Sequence, residues 1–285
     1  LAVIFNPSFP YRMTHMLLAS GLTVSFLVAG LSAYRWLRGD RATSVSAALR
    51  TGVFTAALLI PVQIMVGDMH GLNTMKHQPA KLAAMEGIWE TQKGVGAVLF
   101  AIPDSKAQLN RLEIAIPKLA SFYLTHDWDG EVKGLKEFGD KTPPVAPVFF
   151  AFRIMVGVGL LMMAVSWLAA WKLRRTTLVP QAPNWLYKGL VLMTFSGWIA
   201  LVAGWYVTEI GRQPWLVSGV LTTAQAASSV PAPHIALSLA MYLSLYIVLL
   251  GAYVSVVFYL ARKASTSGLP PNSNENTHLT EVIYA

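Results

Sequence analysis

The sequence has no cysteine. That absence excludes disulfides, thiolate metal ligands and covalent haem attachment through a CxxCH motif. Charge is also scarce: 13% of the residues are Asp, Glu, Lys or Arg, where a soluble domain carries about 25%. There is no P-loop, no GxGxxG opening a helix after a strand, no hydrolase nucleophile motif and no internal repeat. Residues 1–10 lack the basic stretch and apolar core of a signal peptide. The first residue is Leu1, so the expectation is a chain that starts within a longer protein.

What the chain has in abundance is apolar surface: 54% of its residues are hydrophobic and its mean hydropathy is +0.50. Several charge-poor runs approach the ~20 residues a helix needs to cross ~30 Å of hydrocarbon. They predict five spans, about Met13–Tyr34, Ala47–Gly67, Val145–Trp171, Leu186–Thr208 and Ile235–Ala261. Each must be helical, because an unpaired backbone group in lipid costs several kcal/mol. The expected fold class is all-α, a multi-span transmembrane bundle with one outer loop domain. Spans one and two occupy 1–67, an outer loop 68–144, and spans three to five 145–262. A polar, disordered cytoplasmic tail is expected over 263–285.

The net charge of +8 reads as membrane orientation, not nucleic-acid binding, because its Lys and Arg gather in short connections. Arg35, Arg38, Arg41 and Arg50 lie between spans one and two. Lys172, Arg174 and Arg175 lie between three and four, and Arg262 and Lys263 follow span five. Those segments are expected in the cytoplasm, with the 68–144 and 209–234 connections outside. Within the long loop, Lys81–Gln92 reads as a short amphipathic helix, and Ala101–Leu124 and Val132–Phe138 as further helical turns.

Ionisable groups inside spans are costly and point to function. His15, near the outer end of span one, reads either as an interfacial histidine or as an axial haem ligand. Arg153 lies within span three and needs an anion, for which a haem propionate is one candidate. Met155 reads as packing on its own, yet a His/Met pair from two helices is a low-spin haem arrangement. Glu209 reads as an interfacial partner of Arg212 within an aromatic belt of Trp205, Tyr206 and Trp215. On the loop helix, Lys81 and Glu86 stand about 140° apart at ~100° per residue. They read as a solvated face or as part of a docking site at the membrane surface. His70, His77, His126 and His234 read as ordinary outer-side histidines.

The run Gly204–Trp215, ending GRQPW, resembles the segment after the penultimate span of cytochrome bd oxidase subunit I. So do FFAFRIMVGVG at Phe149–Gly159, KLAAMEGIWET at Lys81–Thr91, and the surroundings of His15. The resemblance covers nearly all of residues 5–262. It implies a quinol oxidase of the bacterial cytoplasmic (inner) membrane, with quinol oxidised outside and dioxygen reduced to water. His15 and Met155 would be the iron ligands of a low-spin haem b, and Glu209 that of a high-spin haem b. Arg153, Trp205, Arg212 and Gln213 would lie beside these cofactors. Lys81 and Glu86 would serve quinol oxidation, with Asp68 at the start of the quinol loop. The third haem, d or b, would take its ligand from an N-terminal half absent here, so this chain alone is expected to be inactive. The loop length resembles the short-loop, cyanide-insensitive subfamily. The implied partners are an oxidase subunit II and the lipid bilayer, with no nucleic acid. Two other readings stay open on the residues: a non-catalytic haem-b electron-transfer subunit, and a transporter with Arg153 and Glu209 lining its pathway.

Overall fold

A computed structural model describes residues 5–174 and 182–267. Five helices, or helix pairs, are long and apolar enough to cross a membrane. The first is α1, Phe9–Leu37, followed by α2, Thr43–His77. The long connection after α2 folds as α3 (Pro79–Glu86), β1 (Gln92–Lys93), β2 (Ala97–Asp104), β3 (Leu109–Ile116), α4 (Leu119–Thr125) and β4 (Glu131–Val132). Then come α5 (Val145–Leu173), α6 (Asn184–Leu192), α7 (Ser196–Ile210), a small ribbon of β5 (Trp215–Val217) and β6 (Leu221–Thr222), and α8 (Ala232–Ser267).

The multi-span helical bundle is as the sequence implies, and the differences are local. Span two continues ten residues past Gly67, so Asp68 lies on a helix and not in a loop. Pro61 is accommodated inside that helix. The helical turns expected over Ala101–Leu124 are mostly a β-hairpin: β2 and β3 pair antiparallel, with Ala97 opposite Ile116 and Asp104 opposite Leu109. Their sequences, AVLFAIPD and LNRLEIAI, carry the branched and aromatic residues that suit a pleated surface, and the turn between them holds a Ser105–Gln108 break. Only Leu119–Thr125 of that stretch is helical, and Leu135–Phe138 forms a single 3-10 turn. The loop helix stops at Glu86 because Gly87, at φ 73°, terminates it in the left-handed region. Arg175 and residues 268–285 of the expected tail lie outside the described residues, whereas Lys263 and Ser265 belong to α8.

The fourth span is two helices joined by a 3-10 turn, Met193–Phe195. Thr194 Oγ1 donates to Val191 O at 2.6 Å and Ser196 Oγ to Met193 O at 2.7 Å. Such back-bonding by hydroxyls loosens the helical ladder. The break locks onto α1, where a Cβ on Gly30 would fall 2.8 Å from Leu190 O.

The membrane core lies between α1, α2, α5 and α6. Ala29, Ala33, Leu49, Val53, Ala169, Leu173 and Leu190 are buried together at one end. Leu22, Phe26, Ile60 and Met162 form a second cluster further along. Arg50 Nη1 donates to Leu173 O at 2.6 Å, satisfying a carbonyl at the C-terminal end of α5. Helix α8 meets α1 and, through the Tyr253 and Phe258 rings, Phe195 and Trp198 of the fourth span, and its apolar side chains are exposed along most of its length. The loop elements build their own small core of Leu82, Ile88, Val95, Ala120, Leu124 and Val132. A further set, including Ala84, Met85, Trp89, Val148 and Val207, welds α3 to the loop-side ends of α5 and α7.

Candidate functional site

Helix α3 is where the loop meets the bundle. Its six residues Lys81–Glu86 are all buried, which removes the solvated-face reading of the two charged ones. The two charges point to different neighbours, as their angular separation on the helix requires.

Glu86, 5% exposed, turns towards α5. Arg153 Nη2 lies 3.6 Å from Glu86 Oε2. The same guanidinium donates to Met85 O and to Val98 O, the latter at 2.7 Å, and stacks on the Phe149 ring at 3.6 Å. Arg153 thus ties α5 to the C-terminal end of α3 and to β2, and finds its anion within the protein. Burial raises the Glu86 carboxyl above its ordinary range, while the Arg153 charge and the nearby Tyr123 phenol of α4 oppose that rise. The Tyr123 phenol is pushed up by burial and by the Glu86 charge, with Asp68 of α2 adding to it.

Lys81, 6% exposed, turns towards α1 and α7. Its amine is pulled down to about 8 by burial and by Arg12, against the pull of Glu209, with Arg212 lowering it further. A Cβ on Gly211 would stand 2.3 Å from Val207 O and 3.0 Å from Lys81 Cε, so the lysine stem lies against the start of the GRQPW turn. Glu209 and Arg212 are ion-paired and half-exposed, with Arg212 donating to Oε2. The Arg212 Nε is buried without a partner. Gln213 Oε1 accepts from Thr223 Oγ1 at 3.0 Å, tying the turn to the residue that follows β6. Trp205 is exposed, tilted against Tyr206 with ring centroids 5.8 Å apart.

His15 lies against α2. Its Nε2 is 3.1 Å from Gln63 Nε2, and its Nδ1 is buried without a partner. A Cβ on Gly67 would come within 3.2 Å of its ring. His70, an ordinary histidine by sequence, sits with its ring centroid 5.9 Å from that of His15. Met155 packs elsewhere: a Cβ on Gly204 of α7 would lie 3.0 Å from its sulfur. The structure therefore brings Glu86 together with Arg153, and Lys81 with Glu209 and Arg212. It sets His15 beside α2 and Met155 beside α7. Asp68 is exposed on α2.

Similarity to known proteins extends along the whole chain. The family model for cytochrome bd terminal oxidase subunit I matches residues 1–265. The chain belongs to the cytochrome bd subunit I family. It is 31% identical over 269 residues to cytochrome bd ubiquinol oxidase subunit 1 of Bacillus subtilis, covering 90% of this chain and 57% of that protein. It is 27% identical to cytochrome bd-II ubiquinol oxidase subunit 1 of Escherichia coli, covering 91% of this chain and 63% of that one. The bd oxidase structure from Geobacillus thermodenitrificans superposes with a TM-score of 0.80 at 31% identity, over 92% of this chain and 60% of that chain. The chain thus spans about three-fifths of the length of the relatives it matches. As a bd subunit I segment with five apolar helices, it is a multi-pass membrane protein.

Three partners in these groups were not singled out by sequence. Tyr123, Arg12 and Gln63 carry no motif, and each reaches its site from a distant segment. The one signal available for Gln63 was its place inside a span, where a polar side chain needs a partner. His126, Asp127 and Asp129 form no metal cluster: Asp129 pairs with Lys118 at 2.7 Å, and no group of three potential ligands converges among the described residues.

Proposed function

We propose that this chain supplies the quinol-oxidising part of a membrane quinol:dioxygen oxidoreductase, acting on the outer side of a bacterial cytoplasmic membrane. The observation that supports it most is the burial of Lys81 and Glu86 where the loop meets α5 and α7, in a chain whose family match runs through residue 265. A solvated loop helix would leave both charges in water. Here two ionisable groups of opposite sign are held in apolar surroundings at the membrane's edge, where a quinol is at once lipid-soluble and a proton donor.

The residues suit haem at two places. His15 offers a buried imidazole nitrogen without a partner, and Gly67 presents no side chain of its own to the ring. Gly204 likewise gives room to the Met155 thioether. His15 and Met155 would hold a low-spin haem b, and Glu209, whose Oε1 has no bond among the described residues, a high-spin one. When bound, these haems supply one-electron acceptance and transfer. A third haem, d or b, would be ligated outside these five spans, with an oxidase subunit II completing the assembly. The chain's own residues handle protons and position. Glu86 accepts a proton from a quinol hydroxyl and passes it outward. Lys81 binds the quinol oxygens from the other pole of α3. Arg153 fixes the height of α3 over α5, and Arg212 and Gln213 hold the turn under Lys81.

The test is a reduced-minus-oxidised optical spectrum of the intact oxidase containing this chain, in wild type and in His15→Ala and Met155→Leu. The expected result is a low-spin b-type band lost in the first variant and shifted or lost in the second, with quinol oxidation falling alongside. A band unchanged in both would remove the ligand assignment. A folded wild type with no haem would remove the oxidase reading itself.

A further inference from the structure

The chain just after Glu86 is gripped from two sides. On the bundle side, Arg153 donates to Met85 O and to Glu86 O, the latter at 3.3 Å. A Cβ on Gly87 would fall 2.8 Å from the Phe149 ring, the ring on which Arg153 stacks. On the loop side the grip comes from Asn110 of β3. Its Nδ2 donates to Gly87 O at 2.9 Å, and its Oδ1 accepts from the Trp89 indole Nε1 at 2.8 Å. The second amide hydrogen goes to Glu113 Oε2 at 2.7 Å. Every partner has the sign its atom needs, so the amide fits only one way round. Turned over, its nitrogen would face the indole N–H and its oxygen a carbonyl and a carboxylate.

The hairpin departs from regularity at this point. Ile102 pairs with Arg111 and Phe100 with Ile114, so Leu112 and Glu113 together oppose Ala101. Leu112 takes φ 51°, a left-handed conformation uncommon for a residue with a Cβ. Such a bulge re-aims side chains, and this one brings Glu113 back onto Asn110. Most of β3 is exposed, whereas Asn110 is half-buried.

We propose that Asn110 is a positioning residue for quinol oxidation: through Gly87 O and the Trp89 indole it fixes the end of α3, and so holds Glu86 where it meets the quinol hydroxyl. This rests on the quinol-oxidase reading above. Asn110 touches neither quinol nor haem and acts through Glu86, its neighbour Gly87 and Trp89. Arg153 sets the same end from the bundle, so Glu86 is held between a span and the hairpin. Glu113 supports the arrangement from the surface by keeping the Asn110 amide in its orientation. Loss of Asn110 leaves the Gly87 carbonyl and the buried Trp89 indole without their partners, and the end of α3 shifts to find others.

The experiment uses the intact oxidase with Asn110→Ala, Glu113→Ala, Glu113→Gln and Glu86→Gln, with haem content read optically in each. Oxygen consumption is driven in turn by quinol and by ascorbate with tetramethyl-p-phenylenediamine, a one-electron donor with no hydroxyl proton to give up. In Asn110→Ala, kcat per haem with quinol should fall roughly tenfold, as a small misplacement of a reacting group does. The quinol KM should stay within about twofold, the pattern of an interaction that matters in the transition state only. The amine-driven rate per haem should match wild type. Glu113→Ala should lose roughly threefold in quinol kcat, the size of one weakened hydrogen bond, and Glu113→Gln, which still offers Asn110 an oxygen, should regain most of it. An Asn110→Ala loss that is equal for both donors would mark a structural residue only and overturn the proposal, as would a rise in KM with kcat unchanged. Should Asn110→Ala lose its haem, the Glu113 pair decides, since that side chain is exposed and its removal leaves the fold alone. Quinol kcat in Glu113→Ala equal to wild type then overturns the proposal. If Glu86→Gln oxidises quinol normally, the quinol-site reading itself fails and this role of Asn110 fails with it.

Discussion

At the scale of single residues, the informative fact is how much of the charge at this site is buried. Lys81 is the sharpest case, because its amine sits at about 8 against an ordinary value of 10.5. Between those two pH values the unfolded chain carries the proton and the folded chain does not. Stability therefore rises with pH through that window, and the full cost of burying the charge is present below about 8. That cost is about 3 kcal/mol, at roughly 1.4 kcal/mol for each pH step of one between the two values. Lys81→Met should consequently raise the thermal midpoint of the purified protein at pH 7, with the gain shrinking to nothing by about pH 10.5. A gain that was the same at both pH values would show that the burial cost is not the cause. On the quinol-oxidase reading the same variant loses quinol oxidation, so stability and activity move in opposite directions. The charges themselves were legible in the sequence, since Lys81 and Glu86 stand out on a short helix beside Met85 and Trp89. Their burial was not, because the residues that cover them come from α1, α4, α5 and α7, and a local pattern carries no record of what packs on it.

At the scale of elements, the spans were legible because length and charge depletion are local properties that lipid imposes on each helix alone. Their ends were less so. Span two runs on to His77 since the polar residues after Gly67 continue a helix that the loop elements cover, and hydropathy only marks where lipid stops. The hairpin reads as helix in the sequence because LNRLEIAI offers apolar residues at helical spacings as well as strand ones. What decides is the pairing with β2, and pairing is not local. Helix α1 also meets α2 closely, where a Cβ on Gly52 would stand 2.7 Å from Ser25 O and 2.8 Å from Ala29 N. Backbone, not a flexible side chain, fills that space, so the helices would have to part. Gly52→Leu should lower the thermal midpoint of the detergent-solubilised protein by several degrees, as overpacking costs about 1–3 kcal/mol or more. An unchanged midpoint would mean that α1 and α2 do not meet so closely.

At the scale of the whole molecule, the arrangement of charge is two-faced. Arg35, Arg38, Arg41 and Arg50 crowd one end of the bundle, and Lys172 and Arg174 join them there at the close of α5. Several of these are also structural: Arg35 pairs with fully buried Asp40 at 2.7 Å, and Arg41 stacks on Trp36 at 4.1 Å. The loop domain and the buried Lys81 and Glu86 sit at the other end. A basic excess in short connections favours the cytoplasmic side, which would put the loop, the proposed quinol site and its released protons outside. The absence of cysteine makes this directly testable. Lys106, at the exposed tip of the hairpin, and Arg38, exposed between α1 and α2, can each be replaced by a cysteine that is then unique in the chain. With a membrane-impermeant maleimide on intact spheroplasts, Lys106→Cys should be labelled at once and Arg38→Cys only after the membrane is opened. The reverse pattern would invert the molecule, place quinol oxidation on the cytoplasmic face, and turn the proton released at Glu86 inward. Both sites labelled before opening would mean that the five helices do not thread the bilayer in the alternation their charges imply.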